Sequence, residues 1–253
     1  QLLFALTLMT ALLSRATIPQ GHDWQFGLNL FLLPLAQSAV NTKTDIHAAL
    51  RGDPSKKVIV LLGDVDKNMQ WSWINLHRFV RDGGAVLIAT DQDARMTSIC
   101  RISAGPVRVT AADSKYQGFD DCPIVRQFSN PHPLTKGLNE VVANRSGYIS
   151  QQTSFNARWS TIAAFPAGTR GPSNRRAVGP LISVMTSARH ERGKLVVMAD
   201  HSILLNSMLT HADNALLALN IADYLCDPGR EELYVIVDGQ PLGAKLPPLM
   251  PEI

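Results

Sequence analysis

Three short runs of β-branched and aliphatic residues constrain this chain most: Lys57-Val-Ile-Val-Leu-Leu62, Ala85-Val-Leu-Ile-Ala89 and Lys194-Leu-Val-Val-Met-Ala199. None of them alternates polar with apolar. A strand of that kind has no face to give to water, so it belongs inside a sheet covered on both sides, and parallel sheets are built that way. Between the first two runs Trp71, Ile74, Leu76, Phe79 and Val80 recur at helical spacing, Asn68 stands where an N-cap is wanted, and Asp82-Gly83-Gly84 ends the pattern. Strand, helix and strand in about 33 residues read as a βαβ unit with parallel strands and a right-handed crossover.

The remaining segments extend this plan. Residues 24–40 predict a buried helix interrupted by Pro34. Leu181–Met185 and 194–199 predict an antiparallel hairpin, followed by one long helix over 202–226 that stops at Asp227-Pro228-Gly229, and a last strand over Glu232–Val237. A short helix over 93–101 and strands over 106–110 and 160–166 complete the expected elements, and 113–157 reads as irregular. With 45% hydrophobic and 18% charged residues in 253, the chain is neither disordered nor short of a core. Its net charge, 24 − 21 = +3, does not call for nucleic acid.

The two ends differ from the middle. Residues 2–13 are apolar apart from two Thr, which matches a signal peptide or the back half of a membrane anchor, a transmembrane helix whose start is missing. Leu246-Pro-Pro-Leu-Met-Pro-Glu-Ile253 cannot continue a helix or a central strand. The expected division is 1–16 signal or anchor, 17–240 a single α/β domain and 241–253 a Pro-rich linker.

Two segments carry a family resemblance. One is Val58-Ile-Val-Leu-Leu-Gly-Asp64 with Leu76-His-Arg-Phe-Val-Arg-Asp-Gly-Gly-Ala-Val-Leu-Ile-Ala-Thr-Asp91; the other is Gly193-Lys-Leu-Val-Val-Met-Ala-Asp-His-Ser202 leading into Asp213-Asn-Ala-Leu-Leu-Ala-Leu-Asn-Ile-Ala-Asp-Tyr-Leu225. Together, over about residues 40–226, they resemble the class I glutamine amidotransferase-like domain in its non-catalytic branch. That branch includes a membrane-anchored bacterial family and the periplasmic domains of gliding-type transport proteins. The resemblance implies a flavodoxin-like three-layer α/β/α sandwich with a mostly parallel central sheet. It implies no chemistry by itself.

The residues bear this out for the amidotransferase reaction. A nucleophilic Cys needs a tight strand-to-helix elbow beside a His. The strand 85–89 runs instead into Thr90-Asp91-Gln92-Asp93, and Cys100, Cys122 and Cys226 lack flanking Gly and follow no buried strand. Their odd number and wide spacing give neither a disulfide framework nor a metal knuckle. No GxSxG, GxxxxGK[ST] or GxGxxG occurs. Asp200-His201-Ser202 holds the three triad residue types, but neighbours in a chain do not face one another as a triad does. Asp200 reads as a strand end, Ser202 as the N-cap of the next helix and His201 as part of the turn; His211 and Asp213 read as surface positions.

Asp64, Asp91 and Asp200 each follow an expected buried strand, so a parallel sheet gathers them, with His201, at its carboxyl edge, where open α/β folds hold ligands. Such a crevice suits oxygen ligation of a divalent cation, while each Asp also suits a cap or a turn. A second candidate surface is basic: Arg170, Arg175, Arg176, Arg189 and Arg192 lie in a stretch with Glu191 as its acid, and such a face suits an acidic partner or anionic headgroups. The function expected from all this is a non-catalytic, membrane-tethered binding or scaffold domain, held outside the cytoplasm and acting through protein partners, without cofactor, resident metal or nucleic acid. The alternatives are a metal-assisted hydrolase, or a small-molecule or glycan sensor, using the acidic crevice.

Overall fold

The computed structural model describes residues 25–38, 41–43, 45–65, 73–96, 100–129, 131–152, 157–172 and 178–242. The apolar run 2–13, the N-cap candidate Asn68, Arg175, Arg176 and the Pro-rich segment 246–253 lie outside them. The strands are β1 Asn41–Lys43, β2 Lys57–Leu62, β3 Ala85–Ala89, β4 Ala94–Met96, β5 Cys100–Ser103, β6 Lys115–Tyr116, β7 Phe119–Val125, β8 Gln127–Phe128, β9 Val141–Val142, β10 Tyr148–Gln152, β11 Ala157–Ala164, β12 Ile182–Ser187, β13 Lys194–Met198, β14 Glu232–Val237 and β15 Gln240–Pro241. The helices are α1 Asn29–Ser38, the single turn α2 Ile46–Ala49, α3 Trp73–Arg81 and α4 Asn214–Leu225.

One nine-stranded sheet dominates, in the order β1-β14-β2-β3-β13-β12-β11-β8, with β15 beside β14. From β1 to β13 the neighbours are parallel; from β13 to β8 they are antiparallel. The three apolar runs, β2, β3 and β13, are mutual neighbours and buried throughout. Alternate residues feed two cores. Val58, Val60, Leu87 and Val196 pack with Phe31 and Leu35 of α1 and Leu217 and Ile221 of α4. Ile59, Leu61, Ile88 and Val197 pack with Leu76, Phe79 and Val80 of α3 and with Ala94, Ile102 and Ile149 of β4, β5 and β10.

The flavodoxin-like α/β/α sandwich is therefore not what the chain forms. The sheet is mixed, two further three-stranded antiparallel sheets, β10-β5-β4 and β6-β7-β9, are added to it, and the fold is mostly β. The reason lies between β3 and β13, where a flavodoxin-like chain would cross over through helices. Here the described residues between β3 and β13 form the strands β4 to β12 with short 3₁₀ turns and no α-helix, and the β10-β5-β4 sheet shares the second layer with α3. The short helix expected over 93–101 is the β4–β5 hairpin, and the burial of Cys100-Arg-Ile-Ser103 alternates with the period of a strand. Residues 106–110 make a single bridge, Arg108 to Arg170, rather than a strand.

The long helix expected over 202–226 is also shorter, because 202–210 makes two 3₁₀ turns, Ser202–Leu204 and Met208–Thr210. The amides that would continue a helix are used elsewhere: Asn206 N–H donates to Gly27 O at 2.8 Å and Ser207 N–H to Gln25 O at 3.1 Å. The buried Asn206 side chain accepts from Leu30 N–H, which ties this segment to the start of α1. No helix among the described residues is long and apolar enough to cross a membrane, so none of them is the expected transmembrane helix.

The amino edge of the parallel strands is closed by three buried cations, Lys57, Lys194 and Arg230. Lys57 Nζ donates to Ala48 O and Arg51 O, and Lys194 Nζ donates to Tyr224 O at 2.7 Å above the Tyr224 ring. The Arg230 guanidinium reaches Ser55 O (2.8 Å), Gly83 O (2.7 Å), Arg192 O (2.6 Å) and Asp227 Oδ1 (2.7 Å).

Candidate functional site

The sheet's hydrogen bonding runs on past its carboxyl edge: Gly63 N–H donates to Ala89 O, Thr90 N–H to Met198 O and Asp238 N–H to Leu62 O. These bonds fix the first residues of each loop. Gly63 is in the left-handed region (φ +74°) with the Asp238 carboxylate where a Cβ would point, so a side chain has neither the backbone angle nor the space there.

The loops bring some of the expected residues together and separate others. Asp91 and His201 form an ion pair, Oδ1 to Nδ1 at 3.5 Å, with both side chains about a quarter exposed (22% and 25%). Gln92 Nε2 donates to the same Asp91 oxygen at 2.9 Å. Asp200 turns inward and is fully buried. It accepts from Asn144 N–H (2.7 Å), Ser202 N–H (2.8 Å) and Ser202 Oγ–H (2.6 Å). Ser202 is thus a donor to Asp200 and not the N-cap expected of it. Asp64 joins the edge through its backbone, its N–H donating to Asp238 Oδ1 at 2.9 Å. Asp238 follows a buried strand just as Asp64 and Asp91 do, so the rule that selected those two applied equally to it.

Electrostatics separates these carboxylates. Burial pushes Asp200 up to about 6, against the pull of its hydrogen bonds from Ser202 and Asn144. Burial also works against charge on Asp91 and His201, but their mutual attraction across 3.5 Å outweighs it, lowering Asp91 and raising His201. The lowered Asp91 contributes stability above the ordinary carboxylate range that is lost as pH falls through its shifted value. The raised His201 contributes stability below the ordinary imidazole value that is lost as pH rises through its shifted one. The pair is therefore strongest between the two. We expect the His201 imidazole to titrate above the ordinary value in a histidine-resolved NMR experiment, and Asp91→Asn to bring the midpoint down. An unchanged midpoint would show that the pair does not form.

The other candidates are placed as follows. Among the described residues no three His, Cys, Asp or Glu side chains converge in a way that would hold a metal ion. The three cysteines are free, and burial raises all of them, Cys122 to about 11 and Cys226 to about 12, so little thiolate exists at neutral pH. Cys122 lies against Asn144, with Sγ 3.7 Å from its Oδ1. Asp213 accepts from Asn139 N–H and Glu140 N–H and so holds a loop. His211 is bonded to Tyr116 through Nδ1 at 2.9 Å, a partner its sequence position does not reveal.

The basic residues do not share one surface. Arg189 and Arg192 sit in the β12–β13 turn, at the amino edge of the parallel strands, where Arg192 pairs with Asp227 at 3.4 Å. Arg170 lies in the loop after β11, whose last residues pair with the opposite end of β12. There Arg170 and Arg108 line a cavity of about 530 Å³ with Pro106, Thr110, Asp120 and Gly171. The neighbouring Gly105 N–H donates to Asp91 O, which links this wall to the acidic edge.

Fold and site together define a β-rich domain on a mixed sheet, whose parallel half carries acidic loops at one end and buried cations at the other. Over residues 36–222 the sequence matches a family described as a domain of unknown function (DUF4350), and the chain belongs to that family. No curated protein matches it. Among solved structures it is similar to the mmIFT52 N-terminal domain, at 11% identity and a TM-score of 0.46, over 68% of this chain and 73% of that one.

Proposed function

We propose that the domain is a non-catalytic binding module that acts through a protein partner. The observation that supports this most is the use made of the acidic crevice. Asp200 holds the backbone amides of Asn144 and Ser202, Asp238 holds that of Asp64, and Asp91 is paired with His201. Carboxylates spent on fixing loops build a rigid surface, and rigid loop surfaces on a stable sheet are what binding proteins present. The proposal extends to location: on the apolar run 2–13, the domain works at a membrane or beyond it.

The test is photo-crosslinking in the source cells, with a photoreactive residue placed in turn at the exposed positions Phe26, Phe119, Arg158 and Arg189. The expected result is a discrete adduct with one other protein at neighbouring positions, recovered from the membrane or exported fraction. Absence of any adduct at all four positions overturns the binding reading, and adducts confined to the cytosol overturn the location.

A further inference from the structure

The three-stranded sheet β10-β5-β4 buries one face and bares the other. Ala94, Cys100, Ile102 and Ile149 point into the second core, so the alternate residues of β4 and β5 lie on the outer face. There Arg95 of β4 stands directly opposite Arg101 of β5, with Gln151 of β10 beyond it in the same row. Arg95 and Gln151 are exposed, and Arg101 is half-buried. Two like charges placed directly opposite are unfavourable in themselves. Among the described residues neither arginine meets a carboxylate, whereas Arg51, Arg126 and Arg230 each pair with one. Asp93, two positions before Arg95, accepts from Ala104 N–H at 3.1 Å. Arg101 carries a second penalty: its Nε–H is shut off from solvent with no hydrogen-bond partner among the described residues. The hydroxyls beside the row are engaged with each other, Ser103 Oγ–H donating to Ser150 Oγ at 2.9 Å. The segments that continue these strands, 97–99 and 153–156, bring no charged residue by sequence.

We propose that the Arg95–Arg101 pair anchors one acidic side chain of the protein partner, which makes this sheet face the docking surface; the proposal rests on the binding reading above and gives it a place. A carboxylate has two oxygens in one plane, one for each guanidinium, and held between them it offsets the repulsion and supplies the missing acceptors. A bared sheet face encloses nothing, whereas small-molecule sites are concave, so it suits the surface of another protein. Arginine is also enriched at the few points where such interfaces concentrate their energy. Gln151, Ser103 and Ser150 supply the polar surround.

The test places a photoreactive residue at Gln151 in the source cells and measures the yield of the adduct, with thermal melts of each purified variant alongside. The expected adduct is with one other protein. Arg95→Gln and Arg101→Gln should each reduce its yield about tenfold, the loss of one charge-assisted contact. Arg189→Gln, at the amino edge of the parallel strands, should leave it unchanged. Arg95→Gln should at the same time raise the melting temperature of the free protein by about 1–2 °C, because it removes the repulsion. A lower melting temperature would make the pair a support of the fold itself and overturn the proposal. Equal losses in all three variants would mean attraction to the molecule's charge as a whole and would overturn it too. So would an adduct undiminished in both the Arg95 and the Arg101 variant, or an adduct with lipid alone. No adduct at Gln151 while the four positions above still crosslink would remove this site and leave the binding reading standing; no adduct at any of the five would remove both.

Discussion

Replacing Arg230 with Met should lower the unfolding free energy by about 3–5 kcal/mol, the scale on which removing one partner from a buried charged network acts. The Arg230 side chain is wholly buried. Its guanidinium satisfies carbonyls from four places in the chain, at Ser55, Lys57, Gly83 and Arg192, as well as the Asp227 carboxylate. Methionine fills much of the volume and answers none of these oxygens. Each acceptor left unpaired in the interior costs about 1–3 kcal/mol, and Asp227 keeps only its weaker contacts with Arg192 and Lys194. Lysine should rescue little, because one ammonium cannot reach acceptors spread around a planar fork. Urea unfolding of the three proteins measures this. A loss below about 1 kcal/mol in the methionine variant would mean that the amino edge is held by packing alone.

Asp200→Ala should cost about 3 kcal/mol near pH 5, and less as the pH rises. The alanine strands three donors, the buried amide and hydroxyl of Ser202 and the part-buried amide of Asn144, at about 1–3 kcal/mol apiece before local relaxation. The pH dependence follows from the sign of the shift. Asp200 is raised in the folded state to about 6. Its protonated form therefore favours folding at low pH, and that contribution is lost as the pH rises through the shifted value. The wild type loses it; the alanine variant has none to lose. The gap between the two proteins should narrow by about 1–2 kcal/mol between roughly pH 5 and pH 7.5. Paired urea titrations at the two pH values read the difference directly, and other titrating groups cancel between the proteins. A gap that widens with pH would place the Asp200 carboxylate in a site that favours its charge.

How much was legible depended on where the chain stated its pattern without competition. The runs at 57–62, 85–89 and 194–198 have no polar residue after their first position, and they became the buried parallel core. Asp82-Gly83-Gly84 ended α3 as read, with Gly83 in the left-handed region. What lay between β3 and β13 was hidden by length: two- to five-residue strands such as β4, β6, β9 and β10 are too short to display a period. The seven-residue β7 carries Asp120, Asp121 and Pro123, which weaken any strand reading, and it pairs only with short neighbours. The cap of Asp200 on Asn144 and Ser202 and the opposition of Arg108 to Arg170 join residues 56 and 62 positions apart, and no local rule reports such pairs. The acidic edge, by contrast, was visible because a parallel sheet puts the residue after each strand in one place.

The position of β14 carries a consequence for synthesis. It lies between β1 and β2, and its partners leave the ribosome nearly two hundred residues before it does. Until residue 237 has been made, β2 has one edge without its neighbour, and until residue 225 has been made the face meant for α4 is uncovered. At about 5–20 residues per second that state lasts on the order of ten seconds or more. A nascent chain in this condition offers chaperones a long apolar target and cannot complete its sheet as it emerges. The sheet closes only once residues 232–237 have emerged, so the order of synthesis sets β14 as the step on which the fold waits.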